Sequence, residues 1–377
     1  MVQKIYLDNA ATTCVLPEVV DVMCDALKNT YGNPSSTHAF GRESKVLIEK
    51  ARKEIAKHIN AQATEIIFTS CGTEGDNWVL FAAVNDLNVT RIITTKLEHH
   101  AVLHTLEVLK IKKPELQIVY LPVDAYGVVS YDVLEHTLAS DSQKTLVSLM
   151  HVNNEIGSVL DLNRVGELCT KYDAYFHTDT VQSIGKELID VQAANIDFLV
   201  ASAHKFHGPK GVGFVFVKKN TIIQPLIHGG EQEKGYRAGT EAVHQIIGME
   251  KALSIAYKSL GEHKEYISQL KKYAISQFKA VFPDVKINGG ENSFYNILNI
   301  MLPLPSDKTP MILFYLDMKG IAVSRGSACQ SGSIKPSHVL AEILNDQELQ
   351  LPSLRLSFSH FNTKNDIDVL IEAIKAM

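Results

Sequence analysis

The stretch "IDFLVASAHKFHGPKGVGFVFVKK", residues 196–219, decides the fold. It holds two largely apolar runs, "IDFLVASA" (196–203) and "GVGFVFVKK" (211–219), joined by a segment too short for a helical crossover. The two are expected to pair antiparallel, at one side of a sheet. Upstream lie further short, β-branched runs: "EIIFTS" (65–70), "RIITT" (91–95), "QIVYLPV" (117–123), "TLVSLMHV" (145–152) and "AYFHTD" (174–179). Most are separated by stretches of helical spacing at 74–86, 100–110, 131–139 and 162–172. Strands alternating with helices predict an α/β unit with a mostly parallel central sheet. After residue 245 a long, charged helical stretch (247–280) leads to the short strands "NILNIML" (296–302) and "LRLSFS" (354–359) and a last helix (364–376), which read as a smaller α+β unit.

Composition narrows the function. The chain has 377 residues, 45% of them hydrophobic, enough for a sizeable core and about two or three domains. Net charge is −5 and no basic block stands out, so nucleic acid is not expected as a partner. No apolar run reaches the ~18 residues that a membrane span needs, and no signal peptide is evident. The cysteines, Cys14, Cys24, Cys71, Cys169 and Cys329, are odd in number and scattered without CxxC. They read as free thiols of a reducing, cytoplasmic compartment. Cys24 and Cys169 fall on helical patterns and are expected in the core, and Cys71 is expected to be a small packing residue.

Ligands of such sheets bind at the carboxyl ends of the strands. "TSCGTEGDN" (69–77), "HVNNEIG" (151–157), "HTDTVQS" (177–183) and "SAHKFHGPKGVG" (202–213) follow strands there. Lys205 ends an apolar run. A lysine of ordinary pKa ~10.4 becomes an amine nucleophile when desolvated or set beside other cations. Its natural use is a Schiff base with a carbonyl cofactor. Pyridoxal phosphate also needs an acid at its ring nitrogen, which Asp179 can supply, and donors for its phosphate. Gly72 and Thr73 at a helix N-terminus, with Ser202 and His204, offer those donors. Two other chemistries fit less well. His100 and His104 stand one helical turn apart, a spacing that can bind zinc, but there is no HExxH and no third ligand, so no metal is expected. "GPKGVG" lacks P-loop spacing and reads as a tight turn.

The chain resembles the cysteine desulfurases of the NifS-like type, which are fold-type I pyridoxal-phosphate enzymes related to class V aminotransferases. The resemblance runs in order through "YLDNAATT" (6–13), "YGNPSSTH" (31–38), "TSCGTEGDN", "LEHHAVL" (97–103), "HVNNEIG", "HTDTVQSIGK" (177–186), "SAHKFHGPKGVG", "RAGTE" (237–241), "NILN" (296–299), "GSAC" (326–329) and "LRLSFS". It implies a fold-type I transferase with a large cofactor-binding α/β domain (15–255). Residues 1–14 and 256–377 would form a small α+β domain that carries a catalytic cysteine loop.

The roles follow residue by residue as implications of the resemblance. Lys205 would carry the cofactor, Asp179 would pair with its ring nitrogen and Gln182 would touch the ring oxygen. His99 would stack on the ring and assist proton transfer. Gly72, Thr73, Ser202 and His204 would hold the phosphate. Thr240 would reach the phosphate of a neighbouring subunit, which implies a homodimer. Asn154 and Arg355 would bind the carboxylate of L-cysteine, Arg355 through its planar fork. Cys329, set among Ser324, Gly326, Ser327, Ala328, Ser331, Gly332 and Ser333, would be the persulfide-forming nucleophile that hands sulfur to an acceptor protein in iron–sulfur cluster or thiolation pathways. Many relatives have "SSGSAC" and "SGATE" where this chain has "SRGSAC" and "SCGTE". A selenocysteine lyase or a class V aminotransferase would keep Lys205 and Asp179, and a non-catalytic sulfur-transfer scaffold could keep the fold. These remain the alternatives.

Overall fold

The computed structural model describes residues 4–326 and 337–377. Its centre is a seven-stranded sheet in the order Ile66–Thr69, Gly213–Val217, Phe198–Ser202, Tyr175–Asp179, Thr145–Ser148, Arg91–Thr94, Gln117–Tyr120. Gly213–Val217 runs antiparallel to both of its neighbours, while the other pairs are parallel. The expected antiparallel pair is therefore present, one strand in from the edge.

Helices pack on both faces, so most of these strands are apolar throughout rather than alternating. Successive side chains still point to opposite faces. Phe198 and Val200 pack with Val215 and Val217 in one cluster, and Leu199 and Ala201 pack with Phe214 and Phe216 in another. Burying one such large side chain contributes about 1.5–3 kcal/mol. Only the edge strand Gln117–Tyr120 exposes both of its ends. The helical stretches expected from spacing are Gly72–Asn85, His100–Lys112, Tyr131–Ala139 and Leu162–Lys171. The long C-terminal stretch is interrupted at Ser259, giving the helices Val243–Lys258 and Leu260–Val281.

Ile5 and Leu7 pack in one apolar cluster with residues between Ile267 and Ile374. That cluster lies on a three-stranded antiparallel sheet ordered Ser353–Ser357, Ile297–Met301, Lys286–Asn288. Ile5–Tyr6 pairs parallel with Ile321–Ala322, and Asp8 bridges to Ser357. The chain then crosses to the central sheet, where the Thr13 N–H donates to the His204 carbonyl at 2.9 Å. Residues 8–13 thus tie the small sheet to the segment that carries Lys205.

One expectation is corrected. Cys169 is buried, but Cys24 is exposed on the helix Pro17–Asn29. That helix buries Val19 and Ala26, two turns apart on one face, and Cys24 points away from that stripe. Among the described residues no helix is long and apolar enough to cross a membrane.

Candidate active site

A cavity of about 840 Å³, open to solvent, lies at the carboxyl ends of the central strands. Gly72, Thr73, His99, Asn154, Asp179, Gln182, Ser202, His204, Lys205 and Arg355 all line it. Ten of the expected site residues therefore meet in one place, although the sequence spreads them from 72 to 355.

One end suits a phosphate. The helix Gly72–Asn85 begins here, with Cys71 in extended conformation before it, so the first turn offers backbone N–H groups without internal partners. A Cβ on Gly72 would stand 2.7 Å from Val181 Cγ2, which is closer than side chains approach; glycine keeps this cradle open. His204 is placed by a 3.2 Å contact between its Nδ1 and Thr12 Oγ1. Burial, with Lys205 next, pushes His204 down to about 3, so it is neutral near pH 7.

The cavity also carries acids. Asp179 ends the strand Tyr175–Asp179, and its Oδ1 accepts from the Val181 N–H at 2.8 Å. Burial pushes its carboxyl up to about 6, against the opposing pull of that N–H and of the Lys205 ammonium. Asp76 also lines the cavity, 1% exposed, and its Oδ1 lies 3.5 Å from His177 Nε2. Burial and the nearby Asp179 and Glu98 carboxylates hold Asp76 well above the usual range. A cation or ring N–H⁺ placed among these groups would offset the clustered negative charge.

Lys205 lies in the short turn after the strand Phe198–Ser202, and its Nζ donates to the Ala10 and Ala11 carbonyls at 2.7 and 2.8 Å. Gln182 Nε2 donates to the same Ala10 carbonyl at 2.9 Å. His99 caps the helix His100–Lys112, its Nδ1 accepting the Ala101 N–H at 3.1 Å. That bond places the ring proton on Nε2. Burial, then Lys205, pushes His99 down to about 4, so the neutral ring is the resting form.

Arg355 sits in the strand Ser353–Ser357 and is 1% exposed. Its Nη2 bonds Asp8 Oδ1 at 2.7 Å and its Nη1 donates to the Asn154 carbonyl at 2.8 Å, while Nε has no hydrogen-bond partner among the described residues. A guanidinium has five N–H donors, so donors remain for an incoming carboxylate. The main chain of Arg355 also bridges Ser324, and Ser337 donates its hydroxyl to the buried Glu155. These contacts anchor the residues on either side of 327–336. Cys329 lies outside the described residues. Thr240 is exposed and does not line the cavity. Cys71, expected to be a packing residue, lines the cavity half-buried.

The structure adds Ala10, Ala11, Asp8 and Asp76 to the site. "YLDNAATT" holds three of them, and an acid followed by small residues before a strandless stretch is a weak sequence indication. His100 and His104 stack at 4.6 Å, and no group of His, Cys, Asp and Glu among the described residues is arranged to hold a metal. The phosphate cradle, the Asp179 carboxyl and the Lys205 amine, all lining one cavity, fit pyridoxal phosphate.

Residues 5–370 match the class-V aminotransferase family. The chain is 42% identical to a cysteine desulfurase IscS of Clostridium botulinum, over 99% of this chain and 94% of that protein. It is 43% identical to a cysteine desulfurase IscS of Dictyoglomus turgidum, over 100% of this chain and 94% of that protein. A solved NifS-like protein superposes with a TM-score of 0.90 at 34% identity, covering 99% of each chain. A structure described as SspA in complex with cysteine superposes with a TM-score of 0.83 at 31% identity, covering 96% of this chain and 100% of that one. The chain belongs to the class-V aminotransferase family and, within it, to the pyridoxal-phosphate-dependent cysteine desulfurases.

Proposed function

We propose that this protein takes sulfur from L-cysteine, releases L-alanine, and keeps the sulfur as a persulfide on Cys329 for delivery to an acceptor protein. The convergence of Lys205, Asp179, His99 and Arg355 on one cavity carries this reading. When bound, pyridoxal phosphate supplies a carbonyl for the amine and a protonated ring that takes up charge from Cα.

The chain's own groups do the rest. Gly72, Thr73, Ser202 and His204 would hold the phosphate. Asp179 would stay ionised beside a ring N–H⁺, because that cation would offset the effect of burial. Arg355 and Asn154 orient the substrate carboxylate, which sets the Cα–H toward Lys205. Lys205 takes that proton at Nζ, and the Ala10 and Ala11 carbonyls are its acceptors at rest. His99, neutral with its proton on Nε2, is the second proton carrier over the substrate. The Cys329 sulfur attacks as the thiolate, the form that is the nucleophile of any cysteine. Cysteine plus thiol gives alanine plus persulfide, and the atoms balance without an external oxidant.

In this reading residues 15–255 hold the cofactor, and 1–14 with 256–377 bring Arg355 and the Cys329 segment to it. Two chains form a homodimer in which Thr240 serves the neighbour's phosphate. The relatives' name IscS supports an acceptor in iron–sulfur assembly. The test is to supply L-cysteine and a reductant to the cofactor-loaded protein and measure products. Sulfide and alanine should appear in equal amounts. Pyruvate with ammonia, or amino transfer to an oxo acid, would contradict the proposal.

A further inference from the structure

Residues 9–13 separate two cavities. Ala10 and Ala11 line the one described above, while Asn9 and Thr13 line a second on the other side, about 560 Å³ with the open solvent at its mouth included. Its walls are largely apolar and include Leu16, Phe206, Ile267 and Phe358. Its polar lining includes Lys186, His207, His263, His360 and Asn296, with no carboxylate among the lining residues. The ammonium of Lys186 makes one long hydrogen bond among the described residues, 3.5 Å to Gln182 Oε1. Asn296 is 2% exposed, and its Oδ1 has no partner there.

We propose that this second cavity binds a small monocarboxylate with an apolar tail, its carboxylate on Lys186 and its tail among Leu16, Phe206, Ile267 and Phe358. An ammonium at an apolar wall without a carboxylate lacks a counter-charge, and a bound anion supplies it. Burial, then the charge of Lys205, pushes Lys186 down to about 7, the direction expected of a cation that lacks an anion. Rotation of the Asn296 amide would turn its NH2 onto the same carboxylate.

The site is wired to the first cavity. Lys186 donates to Gln182 Oε1, Gln182 Nε2 donates to the Ala10 carbonyl, and that carbonyl also accepts from Lys205 Nζ. An anion that draws Lys186 away from Gln182 would therefore be felt at Lys205. The proposal goes beyond the desulfurase reading and stands without it.

The test is calorimetry with hexanoate on the cofactor-loaded protein, with hexanol and hexylamine as charge controls. Hexanoate should bind saturably and more tightly than hexanol, and hexylamine should not bind. Lys186→Met should weaken hexanoate about tenfold or more, the worth of one charge-assisted hydrogen bond, and leave hexanol unchanged. Lys186→Arg should keep hexanoate binding. Ala256→Leu, which fills the cavity from the helix Val243–Lys258, should remove both ligands. Thermal melts confirm that each variant is folded, and the two Lys186 variants decide the matter if Ala256→Leu is not. Arg355→Lys separates the two cavities. Loss of hexanoate there but not in Lys186→Met, or no saturable binding to the folded wild type, would overturn the proposal.

Discussion

Arg355→Lys removes one group and leaves its surroundings in place. In the wild type, Nη2 bonds Asp8 at 2.7 Å and Nη1 bonds the Asn154 carbonyl at 2.8 Å, so the fork is held in place, while Arg355 lines the cavity and its Nε has no hydrogen-bond partner among the described residues. A lysine at this site has one nitrogen. It can satisfy Asp8 or the substrate carboxylate, but it cannot present two parallel donors. Hydrogen bonds to a charged group are worth about 1.5–3 kcal/mol each, so the variant should lose about 3 kcal/mol of substrate binding. That is roughly a hundredfold in kcat/KM, most of it in KM because the carboxylate is held before and during the reaction. The main-chain bridge from Arg355 to Ser324 is untouched, so the segment leading to Cys329 keeps its anchor. Steady-state sulfide release against L-cysteine concentration is the assay, with the cofactor absorbance checked first. A kcat/KM within threefold of wild type, or a loss explained wholly by missing cofactor, would refute the carboxylate role.

Lys205→Ala should bind cofactor without a covalent link, and borohydride reduction of the wild type followed by peptide mapping should find the pyridoxyl group on Lys205; a label on Lys186 or Lys210 would overturn the assignment. Glu98 is buried and pushed up to about 8, so between the ordinary carboxylate pKa and about 8 the folded state holds a proton that the unfolded state releases. Its contribution is present at low pH and lost as pH rises through about 8, by something on the order of a few kcal/mol. Glu98→Gln, which mimics the protonated form, should therefore raise the melting temperature of the cofactor-free protein at pH 9 and change it little at pH 5; equal shifts at both would be wrong for a titrating group. Sedimentation should show a dimer, and Thr240→Ala should weaken cofactor retention; a fully active monomer would refute the shared site.

Local periodicity makes the central sheet legible, because β-branched runs and helical spacing are properties of neighbouring residues. The helix Pro17–Asn29 is harder to read: it buries only Val19 and Ala26, so its apolar stripe is thin and Cys24 looks as inward as its neighbours. Within the site, Lys205, Asp179 and the Gly72 turn are legible because each ends a strand or opens a helix, where ligands of such sheets bind. The Ala10 and Ala11 carbonyls are not, since a main-chain acceptor leaves no mark on residue type. Asp76 reads as a solvent-facing acid of a helix, and only the packing of that helix on the sheet makes it 1% exposed. The pairing of Asp8 with Arg355 spans nearly the whole chain, a separation that no local pattern encodes.

The central claim is that sulfur leaves L-cysteine for Cys329. Mass spectrometry of the cofactor-loaded protein after brief exposure to L-cysteine without reductant tests it most directly. The peptide containing Cys329 should carry one extra sulfur, matched by one alanine released, and Cys329→Ala should keep the bound cofactor while losing both signals. An extra sulfur on Cys71 instead, or full sulfide release by Cys329→Ala, would contradict it.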